Sequence, residues 1–194
     1  MRIQSLLLIT GNQGKAQEFF DLLNLPGLRV GHQALPLTEI QSAKLEEVAR
    51  AKTQVALLHP EREAGWDAVL TDDTGLGLAS LNGLPGPLIK QFLEAIGPQG
   101  LYDLTRHRGP GATASCMLSL GLTQIQEIHQ FLGEVQGQLV PPRGQQGFGW
   151  DAIFQPWGSG HTYAELTLAE KNQISHRAKA VIKLREWILS SERE

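Results

Sequence analysis

Val69-Leu70-Thr71-Asp72-Asp73-Thr74-Gly75 is the stretch of sequence that decides the fold. An apolar run from Ala68 ends in two carboxylates, a hydroxyl and a glycine, which predicts a buried strand with acidic side chains at its C-terminal end. Ligands bind at that edge of open α/β sheets. Because neighbouring side chains of a strand point to opposite faces, we expect only one of Asp72 and Asp73 to face a site and the other to orient a loop or a helix. A turn or a helix cap is the simpler explanation of the pair taken alone.

The residues before this stretch predict a strand, a glycine-rich loop and a helix. The strand covers residues 2–10, the loop is Gly11-Asn12-Gln13-Gly14-Lys15, and the helix covers residues 16–23. Loops of this kind direct backbone N–H groups and a helix N-terminus towards an anion. The spacing is Gly-x-x-Gly-Lys, with Ala16 in place of a hydroxyl, so the loop is not of the Walker A type. A tight turn with a solvated Lys15 explains it equally well.

The remaining patterns alternate between helix and strand, which predicts an α/β fold. Strands are expected at residues 28–30, at 113–122, from a turn near 123 to residue 138, and at 152–154. Helices are expected at residues 42–59, 88–96 and 100–106. Two more helices are expected, one after a capping box at 167–170 and one after Ser175. The predicted inner faces of two helices are Leu45, Val48, Ala49, Val55 and Ala56, and Ala178, Val181, Ile182, Ile188 and Leu189. The chain contains no repeat or linker, so we expect one domain over residues 1–194.

Composition limits the classes of partner. The 194 residues carry 17 basic and 20 acidic side chains, and no run of Lys or Arg forms a footprint for polymeric nucleic acid. The single cysteine, Cys116, excludes an internal disulfide and lies in an apolar run, where we expect it to be buried. Leu6-Leu7-Leu8-Ile9 is too short for a signal peptide or a membrane span, so we expect a cytoplasmic protein.

Carboxylates and lysines are the candidate chemical groups. The six histidines show no metal-ligand spacing, and no Gly-x-Ser-x-Gly elbow is present. Oxygen ligands at Glu39 and Asp73 suit a hard cation, most simply Mg²⁺, which binds through one or two carboxylates and substrate phosphates. Four lysines near predicted loops or helix starts could neutralise a polyphosphate, or could simply be solvated: Lys15, Lys52, Lys90 and Lys171.

Two aromatic residues flanked by glycines could stack on a planar base. Phe148 and Trp150 lie in Gly147-Phe148-Gly149-Trp150-Asp151, where the glycines let a backbone approach closely. Two ordinary core aromatics are the alternative. Asp151 and Ser175-His176-Arg177 add hydrogen-bonding groups suited to a purine edge, although helix capping also explains Ser175.

The ordered set of motifs resembles the inosine triphosphate pyrophosphatase family, enzymes that remove non-canonical purine nucleoside triphosphates. The resemblance covers nearly the whole chain, and the motifs are specific as an ordered set. They are Thr10-Gly11-Asn12-Gln13-Gly14-Lys15 with Glu18, Glu39, Asp72-Asp73-Thr74-Gly75-Leu76, Gly83-Leu84-Pro85-Gly86-Pro87 with Lys90, Phe148-Gly149-Trp150-Asp151, Ala169-Glu170-Lys171-Asn172 and Ser175-His176-Arg177.

The resemblance implies an α/β fold of two lobes, with a long mixed central sheet flanked by helices and a nucleotide cleft between the lobes, usually as a homodimer. It also implies Mg²⁺-dependent hydrolysis of ITP, dITP and XTP to the monophosphate and pyrophosphate by water attack at the α-phosphorus. The resemblance implies that the phosphates are bound by Thr10, Gly11, Asn12, Gln13, Gly14, Lys15 and Lys52. It implies that Glu39 and Asp73 bind the metal, that Asp73 is also the general base, and that Thr74 and Lys90 contact the substrate. For the base, it implies stacking and orientation by Phe148, Gly149, Trp150 and Asp151, with Lys171, His176 and Arg177 completing the pocket.

Selectivity and two alternative functions follow from the same residues. A hydrogen-bond donor from the His176–Arg177 region to the 6-oxo group of inosine or xanthosine would reject ATP.

One departure from the family pattern lies in the second predicted helix. Val48-Ala49 replaces the Asn-Ala of many relatives, which weakens the role implied for Lys52. The alternatives are a Maf-like nucleotide pyrophosphatase, which the motifs at 148–151 and 175–177 disfavour, and a nucleotide-binding module without catalysis, which the intact acidic pair disfavours.

Overall fold

The computed structural model describes residues 3–191. Its helices and strands are β1 (Ser5–Ile9), α1 (Gln13–Leu22), β2 (Arg29–Gln33), α2 (Leu45–Leu58), β3 (Ala68–Leu78), β4 (Pro85–Gly86), α3 (Ile89–Thr105), β5 (Gly111–Leu122), β6 (Ile128–Leu139), β7 (Phe154–Pro156), α4 (Leu168–Ile174) and α5 (His176–Ser191). Arg2, which begins the predicted first strand, and the two ends of the predicted domain lie outside the described residues.

One mixed sheet runs through the molecule. Its strand order is β2-β1-β3-β5-β6-β7, with β4 paired to β3 outside this path. Strand β1 is parallel to β2 and β3, and the remaining pairs are antiparallel. The predicted fold class, a long mixed sheet flanked by helices, is therefore confirmed.

Strand β3 is longer than predicted, and its two carboxylates lie near its middle instead of at its end. The parallel neighbour β1 ends where Ile9 pairs with Thr71. The antiparallel neighbour β5 continues to pair with β3 as far as Leu78, opposite Ala112. Because β5 supplies backbone partners, β3 extends past the carboxylates. The carboxyl end of β1 still places a ligand-binding edge beside Asp72.

Three groups of buried apolar side chains stabilise the two halves of β3. The first packs between the sheet and helices α1 and α5, the second lies under α2, and the third joins the second half of β3 to α3 and the segment after β6. Representative members are Leu8, Phe19, Leu70 and Val181 in the first, Leu7, Ala56 and Val69 in the second, and Leu76, Leu101, Trp150 and Phe154 in the third. The polar middle of β3 lies between these cores.

Local capping sets several helix boundaries. Helix α1 begins at Gln13 instead of residue 16, because Oδ1 of Asn12 accepts a hydrogen bond from the Lys15 amide at 3.0 Å. The predicted capping box of Thr167 forms at α4. The predicted cap of α5 also forms, since Oγ of Ser175 accepts from the amide of Ala178 at 3.1 Å.

Other predicted boundaries differ from the structure by a few residues. Strand β2 extends to Gln33, which pairs with Ile9, and β7 begins at Phe154 instead of residue 152. Helix α2 begins at Leu45 instead of residue 42. Helix α3 joins the two predicted helical pieces across a bend at Gly97, whose φ is +66°.

Three residues assigned to inner helix faces are exposed instead. Val55 is 37% exposed, Ile182 54% and Leu189 45%. Each is next in sequence to a buried residue, Ala56, Val181 or Ile188. Because successive residues of a helix are rotated by about 100°, the buried stripe of each helix is narrower than the apolar pattern suggested. Cys116 is buried, as predicted. No helix within residues 3–191 is long and apolar enough to cross a membrane.

Candidate active site

A cavity of about 780 Å³ brings the predicted site residues together. Its walls come from the start of α1, the middle of β3, helices α2 and α3, the loop before β7, and helices α4 and α5. The predicted residues that line it are Thr10, Gly11, Asn12, Gln13, Gly14, Lys15, Glu39, Lys52, Asp73, Thr74, Lys90, Phe148, Gly149, Trp150, Asp151, Lys171, His176 and Arg177. Sequence reasoning missed the apolar wall of Pro87, Ile89 and Leu93. Ile89 and Leu93 are four residues apart and therefore lie on one face of α3.

The loop after β1 is held in shape by its own polar groups. Oγ1 of Thr10 accepts a hydrogen bond from the Asn12 amide at 3.1 Å. His32, on the neighbouring strand β2, donates from Nε2 to the Thr10 carbonyl at 2.6 Å. Together with the Asn12 cap, these bonds fix the N-terminus of α1 at the cavity, where the first amides of a helix attract anions.

Asp73 is a buried carboxylate held by a lysine. Its Oδ1 lies 3.0 Å from Nζ of Lys52, and the same ammonium lies 2.8 Å from Oε1 of Glu39. Burial raises the pKa of Asp73 from 3.8 to about 6, because the charge of Lys52 lowers this pKa by less than burial raises it. Burial lowers the pKa of Lys52, but the charges of Asp73 and its acidic neighbours outweigh burial and raise it. Asp73 is therefore a base beside a fixed positive charge.

Asp72 points to the opposite face and is already paired. Its Oδ2 lies 3.1 Å from Nζ of Lys15 and accepts a hydrogen bond from Arg177 at 3.2 Å. Burial raises its pKa, but the charges of Lys15 and Arg177 outweigh burial and hold the pKa well below its ordinary value. As the strand geometry predicted, one carboxylate lines the cavity and the other orients neighbouring groups.

The residues at Asp73 fit a hard cation. Oδ2 of Asp73 is buried and has no hydrogen-bond partner within residues 3–191. Glu39 and Asp73 each contact the ammonium of Lys52 through one oxygen, so the two carboxylates lie close together. The same part of the chain contains no cluster of three or more His, Cys, Asp or Glu residues suited to a metal. Two carboxylates that rely on substrate oxygens for the remaining ligands match the way Mg²⁺ is bound.

Glu18 joins two cations at the other end of the cavity, and its contacts were not predicted. Its Oε1 lies 2.9 Å from Nζ of Lys171, and its Oε2 accepts a hydrogen bond from Arg177. Lys171 also lies 2.6 Å from Oδ2 of Asp151. All four side chains are almost fully buried. The only sequence signal for Glu18 was its position within the first motif, because its partners lie 153 and 159 positions away.

Asp151 shapes the loop that carries Phe148. Its Oδ2 accepts from the Phe148 amide at 2.9 Å as well as from Lys171. Burial raises the pKa of Asp151, and the charge of Lys171 opposes that rise. Because this oxygen already has two donors, Asp151 orients the loop and the lysine.

Trp150 belongs to the core and also lines the cavity. Its ring packs edge-on against Phe154 at 5.5 Å and lies 5.1 Å from the ring of His176. The core role that the sequence left open therefore applies to this residue, whereas Phe148 is only half-buried.

His176 is neutral, because burial and then the charge of Arg177 lower its pKa well below its ordinary value. Nδ1 of His176 and Nε of Arg177 are buried without a partner among the described residues.

The sequence of residues 6–187 matches the Ham1 family, and the chain therefore belongs to that family. The chain is 41% identical to the inosine triphosphate pyrophosphatase of Schizosaccharomyces pombe over 193 residues, which cover 98% of each chain.

Solved structures of the family share this fold. A HAM1 protein from Coxiella burnetii matches with a TM-score of 0.80 at 26% identity, over 98% of this chain and 100% of that chain. A nucleoside-triphosphatase described as a dITP/XTP pyrophosphatase, from Mycobacterium abscessus, matches with a TM-score of 0.68 at 27% identity, over 93% of this chain and 98% of that chain.

Proposed function

We propose that this protein hydrolyses the non-canonical purine nucleoside triphosphates ITP, dITP and XTP to the monophosphate and pyrophosphate, and so clears them from the nucleotide pool. The observation that carries this proposal is a single cavity lined by a helix N-terminus, an aromatic wall and Asp73, whose buried Oδ2 has no hydrogen-bond partner among residues 3–191. Names of relatives such as the Schizosaccharomyces pombe inosine triphosphate pyrophosphatase support it.

The phosphate end of the cavity neutralises charge. The amides at the start of α1 and the ammonium groups of Lys15 and Lys52 would face the triphosphate, and Thr74 and Lys90 line the same cavity. Preorganised donors of this kind stabilise charge that develops on the phosphoryl oxygens and the leaving pyrophosphate. Lys15 keeps its orientation through Asp72, which holds it at 3.1 Å.

Asp73 is the general base that takes the proton of the attacking water. Burial raises its pKa in the metal-free protein, and its Oδ2 has no hydrogen-bond partner among residues 3–191, so this oxygen is available to accept a proton. Glu39 and Asp73 would hold Mg²⁺, which would supply Lewis-acid polarisation of the phosphoryl oxygens. Water attacks the α-phosphorus, pyrophosphate leaves, and no covalent intermediate forms.

Base selection takes place between Phe148 and α5. His176 and Arg177 both line the cavity, so a hydrogen-bond donor from this pair suits the 6-oxo group of the base. An adenine amine would leave that donor unpaired, and unpaired buried groups give strong discrimination.

The remaining proposals concern the state of the protein. We infer one domain over residues 1–194, which the single sheet supports, a cytoplasmic location and a homodimer. Sedimentation velocity tests the homodimer, for which we expect one species at twice the chain mass of 21.3 kDa.

Hydrolysis of ITP in ¹⁸O-labelled water with Mg²⁺ tests the reaction. The label should enter inosine monophosphate, and the pyrophosphate should stay unlabelled. Asp73→Asn should abolish turnover, whereas Asp103→Asn, an exposed carboxylate outside the cavity, should retain it. Release of orthophosphate, or label in pyrophosphate, would exclude attack at the α-phosphorus.

A further inference from the structure

The ring of Phe148 lies directly against the backbone of Gly14. A β-carbon at Gly14 would lie 2.8 Å from Cδ1 and 3.0 Å from Cε1 of that ring. Carbon atoms in good contact lie about 3.5 to 4.0 Å apart, so the ring can occupy this position only because residue 14 has no side chain. Gly11, three residues earlier in the same motif, is different, because a β-carbon there would meet nothing within 4 Å.

Helix α1 contacts the base end of the cavity at two points one helical turn apart. Gly14 receives the ring of Phe148, and Glu18 binds Lys171 and Arg177. Residues four apart lie on the same face of a helix. The charged groups of Lys171 and Arg177 in turn lie 4.9 and 5.8 Å from the centre of the Phe148 ring. The ring and both cations are therefore supported by one face of the helix whose N-terminus forms the phosphate loop.

The backbone of Phe148 is held from the other side. Its amide donates to Oδ2 of Asp151 at 2.9 Å. Gly147 makes room for this bond, since its φ is +77° and a β-carbon there would lie 2.2 Å from the same oxygen. With the backbone fixed, the Phe148 ring can avoid a side chain at residue 14 only by rotating away from α1.

We propose that Gly14 is a positioning residue for base recognition, in addition to the phosphate role implied by its motif. Its bare backbone holds the Phe148 ring in place and so couples the phosphate loop to the base end of the cavity. This inference rests on the proposed function, because it concerns how the same cavity recognises a purine. A side chain at residue 14 should weaken contacts to the base more than contacts to the phosphates.

Two glycine variants of one loop test this proposal. Gly14→Ala and Gly11→Ala add the same methyl group, and calorimetry in EDTA measures the binding of ITP and of inorganic tripolyphosphate without turnover. Gly14→Ala should weaken ITP binding by about tenfold and tripolyphosphate binding by less than about twofold. Gly11→Ala should change the two affinities by similar factors. Equal weakening of both ligands by Gly14→Ala would overturn the proposal.

A double-mutant cycle with Phe148 separates ring displacement from general damage to the loop. In a Phe148→Ala background, Gly14→Ala should change ITP binding by less than about twofold, because the ring it displaces is absent. A tenfold loss in both backgrounds would contradict the proposal. Wild-type protein that neither binds nor hydrolyses ITP would overturn the proposed function itself, whereas active wild-type protein with an uncoupled cycle overturns only the role of Gly14.

Discussion

Nζ of Lys52 lies 3.0 Å from Oδ1 of Asp73, although the two residues belong to different secondary-structure elements, α2 and β3. The side chains of Lys52 and Asp73 are 14% and 11% exposed to water. Burial raises the pKa of Asp73 by more than the charge of Lys52 lowers it, and the pair lies at the proposed reactive end of the cavity. The departure of Val48-Ala49 from the family pattern does not move Lys52 out of this position.

Lys52→Met should reduce kcat for ITP by about 100-fold or more, because it removes a preorganised positive charge from the phosphate site. It should also raise the pKa of Asp73, since the Lys52 charge lowers that pKa. Steady-state kinetics at saturating Mg²⁺ measure the first effect. Lys44→Met, which removes an exposed lysine beside the same helix, is the control. A kcat within about threefold of wild type would remove Lys52 from the mechanism.

Asp73→Asn should make the metal-free protein more stable at alkaline pH. The folded-state pKa of about 6 lies above the ordinary value of 3.8, so the stability contributed by the protonated group is present below pH 3.8 and is lost as pH rises through 6. In urea unfolding with EDTA, the free energy of unfolding of the Asn variant should exceed that of wild type by about 3 kcal/mol at pH 8, and by less at pH 5. A variant less stable than wild type at pH 8 would show that the buried, ionised carboxylate of Asp73 does not destabilise the fold.

Glu18→Gln should destabilise the fold, because it leaves Lys171 and Arg177 each with one buried carboxylate partner fewer. The expected loss in free energy of unfolding is about 3 kcal/mol, measured by urea denaturation. Gln17→Ala, at an exposed position on the same helix, should change this energy by less than about 0.5 kcal/mol. Equal stabilities for the two variants would show that the cations do not need Glu18.

Glu39→Gln tests the metal site. Glu39 is half-exposed, so its loss should leave the fold intact while removing one of two carboxylate ligands. The Mg²⁺ concentration for half-maximal activity should rise by about tenfold or more, with little change in unfolding temperature. Unchanged Mg²⁺ dependence would remove Glu39 from the metal site.

The predictable parts of the site are those that depend on residues close together in the sequence. The run from Ala68 to Gly75, the capped loop at Asn12 and the capping box at Thr167 each carry their signal within a few residues. The ordered motifs then identified residues that line one cavity. Adjacent residues of a strand must point apart, so the division of labour between Asp72 and Asp73 was also predictable.

The parts that were not predictable depend on distant partners. Strand β3 extends beyond its carboxylates because β5, some forty residues later, pairs with it from Ala68 to Leu78. The contacts of Glu18 required knowledge of where α4 and α5 pack. The contact of Phe148 with Gly14 likewise joins a loop to the first turn of α1, two segments that no local pattern relates.

Pyrophosphate release from ITP, XTP, GTP, ATP and a modified pyrimidine triphosphate, compared at equal concentration with Mg²⁺, tests the central claim most directly. The cavity should give ITP and XTP a preference of about 100-fold or more in kcat/KM, equivalent to roughly 3 kcal/mol in transition-state binding. Activity confined to the pyrimidine, or none on any triphosphate, would contradict the assignment of this cavity to non-canonical purines.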